Sequence, residues 1–360
     1  MRMGEVPLDA GQRVLMDGNV ATAEGAIAGG CRHFFGYPIT PQSTIPEHMS
    51  RRLPELGGVY LQAESEVAAI NMCYGAAAAG ARVMTSSSSP GISLMQEGLS
   101  YMIGAELPCV LVNMVRGGPG LGNIAAAQSD YWMSTRGGGH GDGQPLAFAP
   151  WSVQECFDLT RQAFDITQRY RLPVYVLGDA ILAQMMEPVT VAAPEQHDYP
   201  QPDWAVGGIR HGRPRRVVTS IYIAADALED LNLRVQRRML EAAERETRWE
   251  ELGDEEPELL LCAYGLSARI GQTAVELAQA AGVRARLLRP ISVFPFPTAP
   301  IRAWAERVRR VLVVELSLGQ FVEDVRLAVE GRCPVDFMGH TGGMLFNPEQ
   351  IADRLIELAR

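Results

Sequence analysis

Short apolar runs alternate along this chain with longer stretches rich in alanine, and the alternation predicts strands and helices in turn. An apolar run at 14–16 leads into an alanine-rich helix over 19–28, closed by Gly29-Gly30, where glycine suits a helix end. His33-Phe34-Phe35 reads as the next strand, and 43–53 as a helix with Pro46 in its first turn, where proline is tolerated. Val59-Tyr60-Leu61 is again a strand, followed by the turn Gln62-Ala63-Glu64-Ser65-Glu66 and a helix of small residues through 75–81. A strand at 82–85, the polar turn Ser86-Ser87-Ser88-Ser89-Pro90-Gly91 and a helix over 92–103 come next. Residues 108–115 are strongly apolar, with Asn113 the one polar member, which predicts a central strand of a parallel sheet. Residues 117–150 read as one long glycine-rich loop without elements of its own, a kind of segment that is usually functional. A helix over 152–170 and a strand over 172–177 complete a doubly wound α/β domain.

The pattern then changes. Pro188, Pro194, Pro200, Pro202 and Pro214 mark a connector, and 224–252 reads as one long helix. Its mixed charges (Arg234, Arg237, Arg238, Glu241, Glu244, Arg245, Glu246) predict a solvated face braced by salt bridges. Alternation returns with strands at 259–262, 283–288, 311–315 and 335–338 and helices at 267–281, 300–307 and 320–330. The expected division is 1–188, a connector and charged helix over 189–256, and a smaller α/β domain over 257–360.

Composition narrows the function. A chain of 360 residues exceeds one comfortable core, and 47% apolar with 21% charged residues is ordinary for a globular protein. No apolar run is long enough to cross a bilayer, and Met1 to Gln12, carrying Glu5 and Asp9, does not read as a signal peptide, so a cytoplasmic location is expected. The net charge of -10 argues against a nucleic-acid partner. Cys31, Cys73, Cys109, Cys156, Cys262 and Cys333 include no close pair, so any iron–sulfur cluster belongs to another chain. Lysine is absent, which eliminates Schiff-base, pyridoxal-phosphate and P-loop chemistries. No Gly-x-Gly-x-x-Gly follows the first strand, which weakens a nicotinamide reading.

Four turns fall at the carboxyl ends of strands: 37–42, 62–66, 85–91 and 116–122. In a parallel sheet all four face one crevice. They supply Thr40, Glu64, Glu66, a run of serines and Arg116. A guanidinium beside hydroxyls suits a small carboxylate, and a glutamate in the crevice suits a protonated ring nitrogen of a cofactor. Bland readings stand beside these. Arg116 pairs with Glu64 or Asp130, Thr40 caps the following helix, and Glu66 is an anion favoured by a helix N-terminus. Gly141-Asp142-Gly143 matches the start of a magnesium-diphosphate motif, but 165–175 lacks the asparagines that complete it. No metal site is therefore assigned to Asp142, and His140 reads as a loop histidine.

Gly36-Tyr37-Pro38-Ile39-Thr40-Pro41, Gln62-Ala63-Glu64-Ser65-Glu66-Val67-Ala68, Thr85 to Gly91 and Arg116-Gly117-Gly118-Pro119-Gly120 together resemble motifs of the 2-oxoacid:ferredoxin oxidoreductases. The resemblance covers nearly the whole chain and is nearest the α subunit of the branched-chain (2-oxoisovalerate) and 2-oxoglutarate types. It implies a pyrimidine-binding domain for thiamine diphosphate, followed by a domain similar to the transketolase C-terminal domain. A β subunit then holds the diphosphate and magnesium, while γ and ferredoxin-like δ subunits complete the complex and iron–sulfur clusters lie in partner chains. The implied reaction is oxidative decarboxylation of a 2-oxoacid with coenzyme A, passing electrons to ferredoxin. Carried over by motif, Glu66 contacts the aminopyrimidine ring, Pro38, Ile39, Ser88 and Ser89 line the cofactor, and Thr40 and Arg116 hold the substrate carboxylate. Two alternatives remain at this point: a thiamine-dependent decarboxylase or transketolase-like subunit without ferredoxin, and a non-catalytic scaffold.

Overall fold

The structure, a computed structural model, describes residues 11–137, 139–192, 199–207 and 214–360. The acidic N-terminal stretch through Asp9 and the connector residue Pro194 lie outside the described residues.

The chain opens with β1 (Arg13–Asp17), α1 (Gly18–Ala28), β2 (His33–Gly36), α2 (Thr44–Glu55), β3 (Val59–Gln62), α3 (Glu66–Ala78), β4 (Val83–Ser87), α4 (Ser89–Gly104) and β5 (Val110–Val115). Next come α5 (Tyr131–Thr135), β6 (Leu146–Phe148), α6 (Val153–Tyr170), β7 (Val174–Asp179), α7 (Ala180–Gln184), β8 (Met186–Thr190) and the long α8 (Ala225–Glu246). The remainder is β9 (Trp249–Gly253), β10 (Leu259–Cys262), α9 (Gly265–Ala280), β11 (Ala285–Pro290), β12 (Ser292–Phe294), α10 (Thr298–Ala305), β13 (Arg310–Glu315), α11 (Phe321–Val329), β14 (Val335–Gly339) and α12 (Pro348–Ala359).

Two sheets carry the architecture. The larger has the order β12-β6-β7-β5-β4-β2-β3, parallel except for β12 at one edge. Its centre, β4, β5 and β7, is buried along its full length, as the strongly apolar run at 110–115 predicts for β5. The smaller sheet, β14-β13-β10-β11-β9, is parallel apart from β9. The doubly wound first unit and the α/β second unit therefore appear as the sequence pattern predicts.

Four expectations change. The 14–16 run forms a strand, but it pairs with β8 in a separate antiparallel ribbon rather than entering the main sheet. The 86–91 turn is split: β4 extends through Ser87, Ser88 takes the cap position and the helix starts at Ser89. The 117–150 segment contains α5 and β6, elements of five and three residues, too short to give a periodic signal.

The helix expected to reach 252 ends at Glu246, and 249–253 becomes β9 of the smaller sheet. The charges there brace strands rather than a helix face. Arg286 Nε donates to Glu251 Oε2 (2.9 Å) and Trp304 Nε1 to the same oxygen (3.0 Å). Upstream, Arg238 and Arg234 of α8 pair with Glu106 at 2.6 and 3.5 Å, so the expected salt-bridged face is partly tertiary.

The two units interlock. β12 adds to β6 of the larger sheet. Arg289 of β11, 2% exposed, binds both Glu155 oxygens through Nη1 (3.0 Å) and Nη2 (2.5 Å). Its Nε donates to Glu250 (2.6 Å), and its guanidinium lies 3.9 Å from the Trp151 ring centroid.

Candidate active site

The carboxyl ends of β5, β4, β2 and β3 stand side by side along one edge of the larger sheet. The chain moves outward from β2 to β3, then crosses back over β2 to form β4. That reversal opens a crevice between the carboxyl ends of β2 and β4, where ligands bind in open α/β sheets. All four sequence-predicted turns end there.

Glu66 occupies the first position of α3, behind the N-cap Ser65, whose Oγ accepts from Ala68 N (3.2 Å). Glu66 is buried, 6% exposed, whereas Glu64 is exposed. The carboxylate faces the start of α4. A Cβ placed on Gly91 would lie 2.5 Å from Glu66 Oε1 and 2.1 Å from Ser87 Oγ, so any larger residue would displace both groups. The Ser87 and Ser88 hydroxyls are buried with no hydrogen-bond partner, although Ser88 holds the cap position of α4. Orphaned buried hydroxyls are uncommon and call for a partner. A buried carboxylate, two unpaired hydroxyls and a glycine cradle fit one face of a polar heterocycle such as the thiamine aminopyrimidine.

The 37–42 turn is clamped onto β4. Gln42, fully buried, donates to Tyr37 O (3.2 Å) and accepts from Ser86 Oγ (2.5 Å). Asn19 Nδ2 donates to Pro41 O (2.8 Å). Thr40 itself is exposed, and the cap position of α2 belongs to Ser43, so Thr40 is not the helix cap. Pro38 is exposed and Ile39 half-buried on the same turn.

Arg116, 8% exposed, donates from Nη1 to Thr40 O (2.9 Å) and from Nη2 to Leu121 O (3.0 Å). Among the described residues it forms no ion pair, so the expected alternatives of Glu64 and Asp130 fall away, and its Nε–H is buried without an acceptor. Only one N–H of each Nη group is committed, which leaves donors for an anion. Ser89 Oγ accepts from Arg116 N (3.1 Å), tying the 85–91 turn to this residue. Asp130 is hydrogen-bonded by Asn113 Nδ2 (2.9 Å). Burial raises the Asp130 carboxyl above its ordinary value, and hydrogen bonds from Ser89 and Asn113 offset only part of that rise.

Thr40, Glu66, Ser88, Ser89 and Arg116 thus meet at one sheet edge. Arg136, considered from sequence as a second cation for a dicarboxylate, is instead bound to Asp324 (2.8 Å). It lines a separate cleft of about 710 Å³ with Gln236, Trp249 and Phe296. His140 lies in a loop, its carbonyl accepting from Ser100 Oγ (2.7 Å), and Asp142 is exposed. Sequence reading passed over Ser87 and Gly91 as site residues. Both stood inside a quoted motif, but nothing in the serine run says which hydroxyl turns inward.

The fold is that of a thiamine diphosphate-binding α/β domain followed by a second α/β unit. Residues 24–248 match the family model described as pyruvate flavodoxin/ferredoxin oxidoreductase, thiamine diphosphate-binding, and 257–351 match pyruvate:ferredoxin oxidoreductase core domain II. The chain belongs to the 2-oxoacid:ferredoxin oxidoreductase family, as a subunit of an enzyme that oxidatively decarboxylates a 2-oxoacid with coenzyme A. It is 46% identical over 345 residues to ketoisovalerate oxidoreductase subunit VorB of Methanothermobacter thermautotrophicus, covering 96% of this chain and 97% of that one. It is 36% identical to 2-oxoglutarate synthase subunit KorA of the same organism, covering 97% of this chain and 100% of that one. Among solved structures, 2-oxoglutarate:ferredoxin oxidoreductase from Magnetococcus marinus superposes with a TM-score of 0.85 at 26% identity. That likeness covers 97% of this chain but 65% of the longer one. Among the described residues no helix is long and apolar enough to cross a membrane.

Proposed function

We propose that this edge is the pyrimidine half of a thiamine diphosphate site completed by a β subunit, which supplies the diphosphate and magnesium side. The observation that carries it is the buried Glu66 carboxylate packed against the glycine cradle at Gly91, beside the orphaned Ser87 and Ser88 hydroxyls. When bound, thiamine diphosphate supplies the electron sink for decarboxylation. The protein's part is to hold and orient. Glu66, buried at a helix N-terminus, would present its carboxyl group to the ring and accept a hydrogen bond from the ring nitrogen opposite it. Pro38, Ile39, Ser88 and Ser89 border the ring. Arg116, its plane fixed by two backbone carbonyls, directs its remaining N–H donors at the substrate carboxylate with Thr40 beside it.

The substrate is a 2-oxoacid with an aliphatic side chain. Arg116 is the only basic residue in the turns 37–42, 62–66, 85–91 and 116–122, so these turns offer a second carboxylate no cation. Leu121 and Ile124, 82% and 59% exposed, offer apolar surface beside it. The ketoisovalerate subunit's higher identity points the same way. Iron–sulfur clusters lie in γ and δ partner chains that pass electrons to ferredoxin, in the cytoplasm.

The test is Glu66→Gln in the complex assembled with its partner chains. The 2-oxoacid-dependent reduction of a ferredoxin or viologen acceptor is lost while thermal unfolding is unchanged. Near-normal turnover would refute the role and move it to Glu64. Activity on 2-oxoglutarate equal to that on 2-oxoisovalerate would refute the substrate class.

A further inference from the structure

Beyond Arg116 the chain folds back on itself. Gly117 N donates to Ala125 O (3.0 Å), Asn123 N donates to Gly117 O (3.0 Å), and Arg116 bridges Ala126. With the Arg116–Leu121 bond, residues 116–126 form one closed unit. What locates that unit is the residue just past it. Gln128 is 4% exposed and every polar group it owns is bonded to the second unit. Its Nε2 donates to Tyr264 O (2.8 Å), and its Oε1 accepts from Ser267 Oγ (2.6 Å) and Leu316 N (2.9 Å). Its backbone N donates to Leu316 O (2.9 Å), and its carbonyl accepts from the Tyr264 hydroxyl (3.2 Å). Tyr264 and Leu316 stand just beyond the carboxyl ends of β10 and β13, and Ser267 lies in the first turn of α9. Gly265 has a left-handed φ of 52°, and a Cβ there would lie 3.3 Å from Gln128 Nε2, so glycine keeps room for the amide.

We propose that Gln128 is a positioning residue for substrate binding: it references the Arg116 loop to the second unit, which thereby sets the guanidinium's place without touching substrate. Other bonds also reach the second unit: Asn123 Nδ2 donates to Gly342 O (2.9 Å, exposed), and Ser129 O accepts from Gln320 Nε2 (2.7 Å), a backbone contact that a change of the Gln128 side chain leaves in place. Replacing the Gln128 side chain by an apolar one of similar length leaves Ser267 Oγ and Leu316 N buried without an acceptor, and such groups seek other partners by shifting the backbone. A shift there passes to Arg116 through its bridge with Ala126, two residues before Gln128. This inference rests on the carboxylate role proposed for Arg116.

The experiment is steady-state kinetics of the assembled enzyme carrying Gln128→Met, Arg116→Ala and both. Gln128→Met raises the KM for the 2-oxoacid about tenfold and leaves the KM for coenzyme A within twofold, a split that general destabilisation would not produce. The double variant is no worse than Arg116→Ala alone, because the loop then has nothing left to position. If Gln128→Met fails to assemble, Ser267→Ala, which removes one donor to Oε1, decides: it raises the same KM a few fold. An unchanged KM in the variant that assembles, or independent effects in the double variant, overturns the positioning role. An unchanged KM in Arg116→Ala alone overturns the carboxylate reading instead.

Discussion

Gly91→Ala separates the position of the Glu66 carboxylate from the integrity of the fold. Gly91 is in the first turn of α4 and has no left-handed φ, so its backbone accepts alanine. The helix gains about 0.5–1 kcal/mol by the change. The new methyl meets Ser87 Oγ at 2.1 Å and Glu66 Oε1 at 2.5 Å, against a practical limit of 3.0 Å for a Cβ. Both are ends of side chains that can turn, so the overpacking cost sits at the low end of about 1–3 kcal/mol and is partly offset by helix propensity. The carboxylate, however, must retreat by about half an ångström. A misplacement of about 1 Å in a reacting group costs roughly 100-fold, so half of that corresponds to about tenfold. We expect turnover of the assembled enzyme to fall ten- to a hundredfold while the unfolding temperature moves by only a few degrees. Gly75→Ala, in α3 with nothing within 4 Å of the new methyl, is the control: it stabilises by about 0.5–1 kcal/mol and leaves turnover alone. Full turnover in Gly91→Ala would show that the reaction does not depend on where Glu66 sits.

Three further outcomes are expected. Arg116→Ala raises the KM for the 2-oxoacid ten- to a hundredfold with little effect on that for coenzyme A, by removing a charge-assisted hydrogen bond of about 1.5–3 kcal/mol; parallel loss of both would point to a collapsed loop. Arg289→Met leaves the part-exposed Glu155 and Glu250 without their shared cation at the junction of the two units and costs about 1.5–3 kcal/mol in chemical denaturation; a loss below about 1 kcal/mol would mean water replaces it. Asp179, which accepts from Ile181 N (2.9 Å) and Leu182 N (3.1 Å), has its carboxyl pushed by burial from 3.8 up to about 6. Its folded form holds a proton that the unfolded chain has already released across that window, so its contribution to stability falls as pH rises from about 4 through 6. Asp179→Asn keeps the cap acceptor and flattens that fall, read as unfolding temperature against pH; an unchanged slope would place the charge elsewhere.

The sequence alone determined the order and kind of most elements, because burial in a parallel sheet writes nearly continuous apolar runs such as 110–115 and alanine-rich crossover helices such as 66–78. It also determined that the four turns share one edge, since the carboxyl ends of parallel strands face one way whatever lies between them. Tertiary structure decided the rest. The 249–253 stretch has the charges of a helix face, yet its glutamates belong opposite Arg286 and Arg289, and cross-strand pairing overrode local propensity. Arg116 had carboxylates within plausible reach along the chain, but in space it bonds to two carbonyls and keeps donors free. Glu64 and Glu66 are two residues apart on one turn, and the helix start after Ser65 exposes the first and buries the second against Gly91. Gln128 carried no signal at all: a glutamine becomes a clasp only when its partners lie well over a hundred residues away in the chain. Local pattern records what each segment must bury. Which polar groups meet is set by how the segments are brought together.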